Sequence, residues 1–335
     1  MSTNCFDLFS QSTSALVQAL EARAERRQFD TPSVLIREGE PTTAISIVTA
    51  GCVTVETLQN NGERVVLAQG ERGAMFGEMS WLEGRPAVAT VRAEAGSNVL
   101  QVPASALEQL RHTSPIQAAE LFRLFGTKLS LQIQEQNAWI HRFNASLQEP
   151  LRKVLVLFAA LSEQDVEWLR QLGKLQRLAD GAVLIEAGEP VPALYLVLAG
   201  EARILVRSDG DIREVGTSRR GELLGEMSLF NPGQGVASAT VISHGGLELL
   251  RLDTAELLSA LDASPLRAMR FWCALARMLS QRSRDQLLER GLAEASRLAE
   301  QQSDGDELDL TQLAAISTAG SRFDWLCRQF QNQEG

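Results

Sequence analysis

Phe76-Gly77-Glu78-Met79-Ser80-Trp81-Leu82-Glu83-Gly84-Arg85-Pro86-Ala87-Val88-Ala89-Thr90-Val91 is the stretch on which the reading of the chain turns. It recurs with edits as Leu224-Gly225-Glu226-Met227-Ser228-Leu229-Phe230, followed by Ala237-Ser238-Ala239-Thr240-Val241. Glycine lets the main chain approach a ligand closely, and the turn that follows aims backbone N–H groups at an anion. The glutamate can then accept from a sugar hydroxyl. A phosphosugar held against backbone amides suits this wording, and its recurrence strengthens the reading.

Outward from this stretch the chain repeats itself. Gly188 and Gly200 lie 149 residues after Gly39 and Gly51, and Ser264-Pro265 lies 150 after Ser114-Pro115. Phe158 matches Phe9 and Val183-Leu184-Ile185 matches Val34-Leu35-Ile36. The small drift in spacing falls at expected turns, where insertions are tolerated. Each copy alternates short β-branched runs with Gly and Asn-Gly turns, the pattern of a β-sandwich or jelly-roll barrel. Asn61-Gly62 is expected to be a two-residue hairpin turn. Residues 5–27 are expected to form an amphipathic helix carrying Phe6, Phe9, Leu16, Val17 and Leu20. Long helices should follow each barrel, from Pro115 to about Ile140 and from Pro265 to about Ala299. The expected division is 1–145, 146–300 and a tail at 301–335.

The chain has 335 residues, 44% hydrophobic and 22% charged, and a formal charge of −10. The acidity argues against a protein devoted to nucleic-acid phosphates. Four scattered cysteines, with no C-x-x-C and no histidine at ligand spacing, disfavour a disulfide framework or a zinc site and fit a reducing compartment. The N-terminus lacks the basic and apolar regions of a signal peptide, and no apolar run reaches the ~18 residues needed for a membrane span. A cytoplasmic protein is the expectation.

Helix, eight-stranded roll, Phe-Gly-Glu cassette and long trailing helix resemble the cyclic nucleotide-binding domain superfamily, in tandem, over about residues 5–140 and 150–300. The resemblance implies an α+β, mainly β fold: two double-stranded β-helix or jelly-roll barrels, each flanked by helices, with a short helical tail. It implies no resident cofactor and a cyclic nucleotide as ligand, cAMP- or cGMP-like or cyclic di-GMP. The implied ligand-binding residues are Phe76, Gly77, Glu78, Met79, Ser80, Arg85 and Thr90 in the first copy. Leu224, Gly225, Glu226, Met227, Ser228 and Thr240 are their counterparts. Glu78 and Glu226 would take the ribose 2′-hydroxyl. The family's phosphate-binding arginine has no counterpart, because Ala87 and Ala237 stand in its place. A charge-assisted arginine–phosphate pair contributes about 1.5–3 kcal/mol, so its loss costs one to two orders of magnitude in affinity. Arg85 is the nearest substitute in the first copy; the second offers Gln234, with Arg219 and Arg220 on the preceding turn.

A second anion or dinucleotide surface is suggested by Arg267, Arg270, Arg277, Arg282 and Arg284, crowded after Pro265. The plainer reading is a solvated helix face. Trp81 and Trp272 can stack on a base or pack in the core. In homodimeric members of the superfamily the long helices pair, so a homodimer or an intramolecular pseudo-dimer is expected. Residues 308–318 and a segment capped by Ser321, with Phe323, Leu326, Cys327 and Phe330 on one stripe, should form a helical hairpin broken at Gly320. No nucleophile motif or Walker sequence supports an enzyme. The leading expectation is a non-enzymatic cytoplasmic regulator that senses a nucleotide second messenger and relays it to a regulatory protein partner. A ligand-independent scaffold is the alternative. A transcription factor is disfavoured because the tail lacks the cations that DNA phosphates require.

Overall fold

The structure is a computed structural model that describes residues 3–4, 12–143, 152–208, 211–230, 236–303 and 310–331. Phe6, Phe9 and Gln234 lie outside the described residues. The chain divides into two compact units, Met1–Leu129 with Leu279–Leu308, and Ser130–Met278 with Asp309–Gly335.

The first unit opens with β1 (Thr3–Asn4), α1 (Ser14–Glu21), β2 (Glu25–Phe29), β3 (Ser33–Ile36), β4 (Ala44–Ala50), β5 (Val53–Leu58), β6 (Arg64–Gly70) and β7 (Met75–Phe76). Then come α2 (Glu78–Glu83), β8 (Thr90–Ala93), β9 (Ser97–Pro103), α3 (Ala104–Thr113) and the start of α4 (Pro115–Phe143). The strands form two sheets, ordered β1-β6-β5-β8-β3 and β2-β9-β4-β7. Phe29, Val48, Val53, Phe76, Val91 and Val99 from both sheets meet in one apolar core, which makes the roll. The expected helix over 5–27 is confined, among the described residues, to Ser14–Glu21, capped by the Thr13 side chain. Glu25–Phe29 is instead a strand paired with β9. Its first four residues are exposed, so no apolar period marks them. The expected two-residue turn is a three-residue loop. Gln59 and Glu63 close it, and Gly62 alone takes a left-handed φ.

The second unit repeats the plan with α5 (Arg152–Ala160), α6 (Glu163–Leu172), β10 (Lys174–Leu178), β11 (Val183–Ile185), β12 (Ala193–Ser208), β13 (Asp211–Arg219) and β14 (Leu223–Leu224). A 3-10 turn (Glu226–Phe230), β15 (Thr240–Asp253), α7 (Thr254–Asp262) and the start of α8 (Pro265–Glu289) follow. Where the first barrel breaks its chain into β4 and β5 at Gly51, the second runs through Gly200 as one bulged strand, β12. Its core gathers Ile185, Tyr195, Val197, Leu224, Val241 and Leu249.

Two helical expectations need correction. The helix from Pro265 ends at Glu289, not Ala299, and α9 (Glu294–Ser303) begins after a turn in which Gly291 and Ala293 both take positive φ. The tail is one helix, α10 (Leu310–Gln331), that runs straight through Gly320. A helical glycine costs only about 1 kcal/mol, and Ser321 donates back to the Ser317 carbonyl at 3.0 Å instead of capping a new helix. Phe323, Leu326, Cys327 and Phe330 are buried, as their stripe foretold. The Phe323 ring meets Phe158 edge-on at 5.6 Å. Arg322 donates to the terminal carbonyls of Phe158 and Leu161 at 3.1 and 2.8 Å, anchoring α10 on α5.

Candidate functional site

In the first cassette β7 delivers Phe76 into the core and Gly77 turns the chain into α2 at φ 96°. A Cβ at Gly77 would sit 2.9 Å from Thr42 Cγ2 and 3.0 Å from the Ala44 carbonyl, so only glycine fits against the barrel wall. Glu78 is 2% exposed, and its Oε1 accepts from Lys128 Nζ at 2.6 Å. Lys128 also donates to the Met75 carbonyl at 2.6 Å and lies 5.2 Å from the Phe76 ring centre. The carboxylate expected to meet a ribose is therefore neutralised by a lysine of α4. Met79 is buried, Ser80 donates to the Arg85 carbonyl, and Thr90 accepts from the Glu38 amide at 3.1 Å. Arg85 stands 3.8 Å from Glu83. Trp81 stacks on Phe122 at 5.6 Å and packs against Phe125, a helix-packing role.

Beside Ala87 a guanidinium arrives from another element, at the Pro86 carbonyl. Arg284 of α8 is fully buried, and so is the side chain of its partner Glu83, whose Oε2 accepts from Arg284 Nε at 2.5 Å. Arg284 Nη2 donates to the Pro86 carbonyl and Nη1 to Ser296 Oγ, each at 2.9 Å. Ser280 of α8 also donates to Glu83. Such a pair costs desolvation to form, but removing one member leaves a buried charge unpaired.

The turn after α8 seats beside this pair. Ala293 N–H donates to Thr57 Oγ1 at 2.9 Å, and Ala295 N–H donates to Glu38 Oε1 at 3.1 Å. Glu38 Oε2 accepts from Leu58 N–H at 2.8 Å. The Asn60 amide donates to the Gly291 carbonyl at 3.0 Å. Burial pushes the Glu38 carboxyl above its usual pKa, against the pull of the Leu58 and Ala295 amides. Ala293 holds φ 58°, a left-handed conformation that costs a non-glycine residue roughly 1–2 kcal/mol. Its hydrogen bond to Thr57 helps hold it there.

The second cassette keeps the left-handed glycine, runs on as a 3-10 turn where the first forms an α-helix, and changes the company. Leu224 is buried, and Gly225 turns at φ 84° with 2.8 Å between its notional Cβ and both the Ala193 carbonyl and Val191. Glu226, Met227 and Ser228 lie in the 3-10 turn, and Thr240 accepts from the Ala187 amide at 3.1 Å. Ala237 exchanges backbone hydrogen bonds with Gly188 and Glu189, as Ala87 does with Gly39 and Glu40. Ser130, the counterpart of Ser280, donates to the Met227 carbonyl at 3.4 Å. Each cassette is thus met by a serine from the helix that trails the other barrel. Trp272 packs on Phe230 at 5.3 Å. At the positions matching Glu38, Thr57 and Lys128 stand Ala187, Val206 and Met278.

Arg284 belongs to the first unit, Arg267 and Arg270 to the second. The latter two clasp Asp165 of α6 at 3.4 and 2.6 Å, and Arg267 lies 4.6 Å from the Trp168 ring centre. Burial works to raise the Asp165 pKa, but donation from Arg270 and Ser162 outweighs it and leaves the carboxyl below its usual value. Arg277 and Arg282 are half-buried in the middle of α8. Sequence reasoning passed over Lys128, Glu38, Thr57 and the Glu83–Arg284 pair; the one local signal was Gly291, which interrupts a helical pattern. No group of three or more histidine, cysteine, aspartate or glutamate residues among the described residues is placed to hold a metal ion. No described helix is long and apolar enough to cross a membrane.

The family model described as "Cyclic nucleotide-binding domain" matches residues 26–114 and 175–264, more than half the chain. The cyclic AMP receptor protein of Thermus thermophilus is 31% identical over 126 residues, 37% of this chain and 57% of that protein. The chain thus spans little more than half the length of that relative. Among solved structures, the regulatory domain of Toxoplasma gondii PKA with cAMP is similar at 18% identity and TM-score 0.30, covering 77% of this chain and 92% of that one. The N-terminal domain of a transcriptional regulator from Streptomyces coelicolor is similar at 32% identity and TM-score 0.35, covering 38% and 88%.

Proposed function

We propose a nucleotide-sensing regulator: the chain belongs to the cyclic nucleotide-binding domain family, holds two such domains in tandem, and passes the bound state to a regulatory protein partner. The observation that carries this reading is the duplicated cassette geometry. Gly77 and Gly225 make the same left-handed turn against the barrel wall, and Thr90 and Thr240 accept from matching amides. The ligand class is a cyclic mononucleotide or dinucleotide, weakened by the absence of the phosphate arginine at Ala87 and Ala237. Members of the family act as regulatory domains, and regulation fits a chain in which no nucleophile motif is apparent. Pairing of the trailing helices, within one chain or between two copies, belongs to the same proposal.

Isothermal titration of the full chain against cAMP, cGMP and cyclic di-GMP tests it. Saturable binding to one of them, in the micromolar range, is the expected result. Silence with all three would replace the sensor by the ligand-independent scaffold, in which the barrels only present surfaces.

A further inference from the structure

The polarity of the groups around the first cassette is the reverse of what a phosphate needs. An anion calls for donors. Here the barrel offers acceptors: the Glu38 carboxylate, Thr57 Oγ1 and the Pro86 carbonyl, with Glu83 behind them. Glu38 and Thr57 are 8% and 0% exposed. The donors come from the same chain, 201 to 257 residues away in sequence for the Glu83 and Glu38 bonds: the Ala293 and Ala295 amides and the Arg284 guanidinium. Leu292, Ala293 and Ser296 are buried in the process. A Cβ placed on Gly39 would come within 3.0 Å of the Ala295 carbonyl, so the turn lies hard against the β3–β4 connection.

We propose that the first barrel is a receptor for its own chain: the turn Gly291–Ser296 is the resident occupant of its pocket, recognised through peptide N–H donors and one guanidinium. The second barrel supplies the internal control. Ala187 and Val206 stand where the first has Glu38 and Thr57, so the second barrel cannot hold a donor-rich turn by these contacts. Acceptors and occupant belong to the same compact unit although they come from different halves of the duplication, which joins two sequence differences to one structural purpose. A phosphate entering the first pocket would face the acceptor Glu38 and would find the Arg284 guanidinium already held by Glu83 and the Pro86 carbonyl. Self-occupancy goes beyond the sensor reading and does not depend on it.

The test is hydrogen exchange at single-residue resolution on the full chain, with no nucleotide added. The Ala293 and Ala295 amides of the wild type should exchange at least a hundredfold more slowly than an unstructured chain. Glu38→Ala with Thr57→Val gives the first barrel the residues of the second, and should speed both amides at least tenfold while α10 stays protected. Ala295→Pro removes one donor without touching the barrel, since a proline is tolerated in the first helical turn, and should speed Ala293. It decides the matter if the double variant does not fold. Wild-type amides that exchange like an unstructured chain, a folded double variant that keeps wild-type protection at both amides, or an Ala295→Pro variant that keeps it at Ala293, would overturn the proposal. Because no nucleotide enters the experiment, a failed titration leaves its outcome untouched.

Discussion

The two barrels share a cassette of four identical residues, Gly-Glu-Met-Ser, and the same turn of backbone, yet they surround it with different chemistry. In the first, polar groups are matched internally: Glu78 with Lys128, Glu83 with Arg284, Glu38 with two amides, Thr57 with Ala293. In the second, Met278, Ala187 and Val206 replace three of those partners. The glycines are required by the wall in both copies, so they mark the cassette in each and do not tell one copy's ligand from the other's. What distinguishes the copies lies outside the cassette. Common wording there is compatible with two different occupants.

The sharpest way to break this comparison is at Arg284. Arg284→Met leaves Glu83 buried without its cation and should destabilise the first unit by about 3–5 kcal/mol, read by urea unfolding followed through exchange in β4 and β9. Gln134→Met, the matching change on α4, should shift stability by no more than about 0.5 kcal/mol. Equal losses would erase the asymmetry. Adding Glu83→Leu to Arg284→Met should restore most of the loss, since replacing both partners by apolar groups is close to neutral.

A smaller effect is expected when an arginine is placed at either cassette alanine. Ala237 is half-buried, and Ala237→Arg should tighten cAMP binding roughly ten- to a hundredfold by titration, the range of one charge-assisted pair. Ala87 is 6% exposed and adjoins the carbonyl that Arg284 already holds, so Ala87→Arg should bring no gain. A gain at Ala87 and none at Ala237 would reverse the assignment of the two pockets.

Acid should separate the units least, and with opposite signs. The folded-state pKa of Glu38 is raised, so the native first unit binds a proton more readily than the unfolded chain does. Between that raised value and about 4.5 its contribution grows as pH falls. Asp165 is lowered below 3.8, so its contribution in the second unit is complete above that pH and is lost as pH falls through the folded value. Exchange of β4 and α6 amides measured from pH 7 to pH 3 should show the first gaining protection before the second loses it. Parallel curves would mean that these carboxyls do not govern the difference.

Both barrels and the duplication were legible in the sequence because turns and alternation are local patterns. Gly39, Gly51 and the cassette glycines punctuate short strands at spacings that a reader can align. The Phe323–Phe330 stripe was legible for the same reason. The pairs that set the chemistry were not, because Lys128 is 50 residues from Glu78 and Arg284 is 201 from Glu83. Arg284 sat among five arginines and looked like part of a solvated face. Nothing in a helical run of arginines says which one faces a buried carboxylate. Gly291 did carry a local signal, and it was outweighed by the helical residues on either side.

The first unit is assembled from two distant pieces, ending at Leu129 and resuming at Leu279. On a ribosome those pieces emerge apart in time. At about 5–20 residues per second, the intervening stretch takes on the order of ten seconds or more to synthesise. During that interval the barrel that was made first waits without Arg284 and without its turn, while the later barrel is still being made. The barrel translated first is therefore finished only after the second barrel has been made.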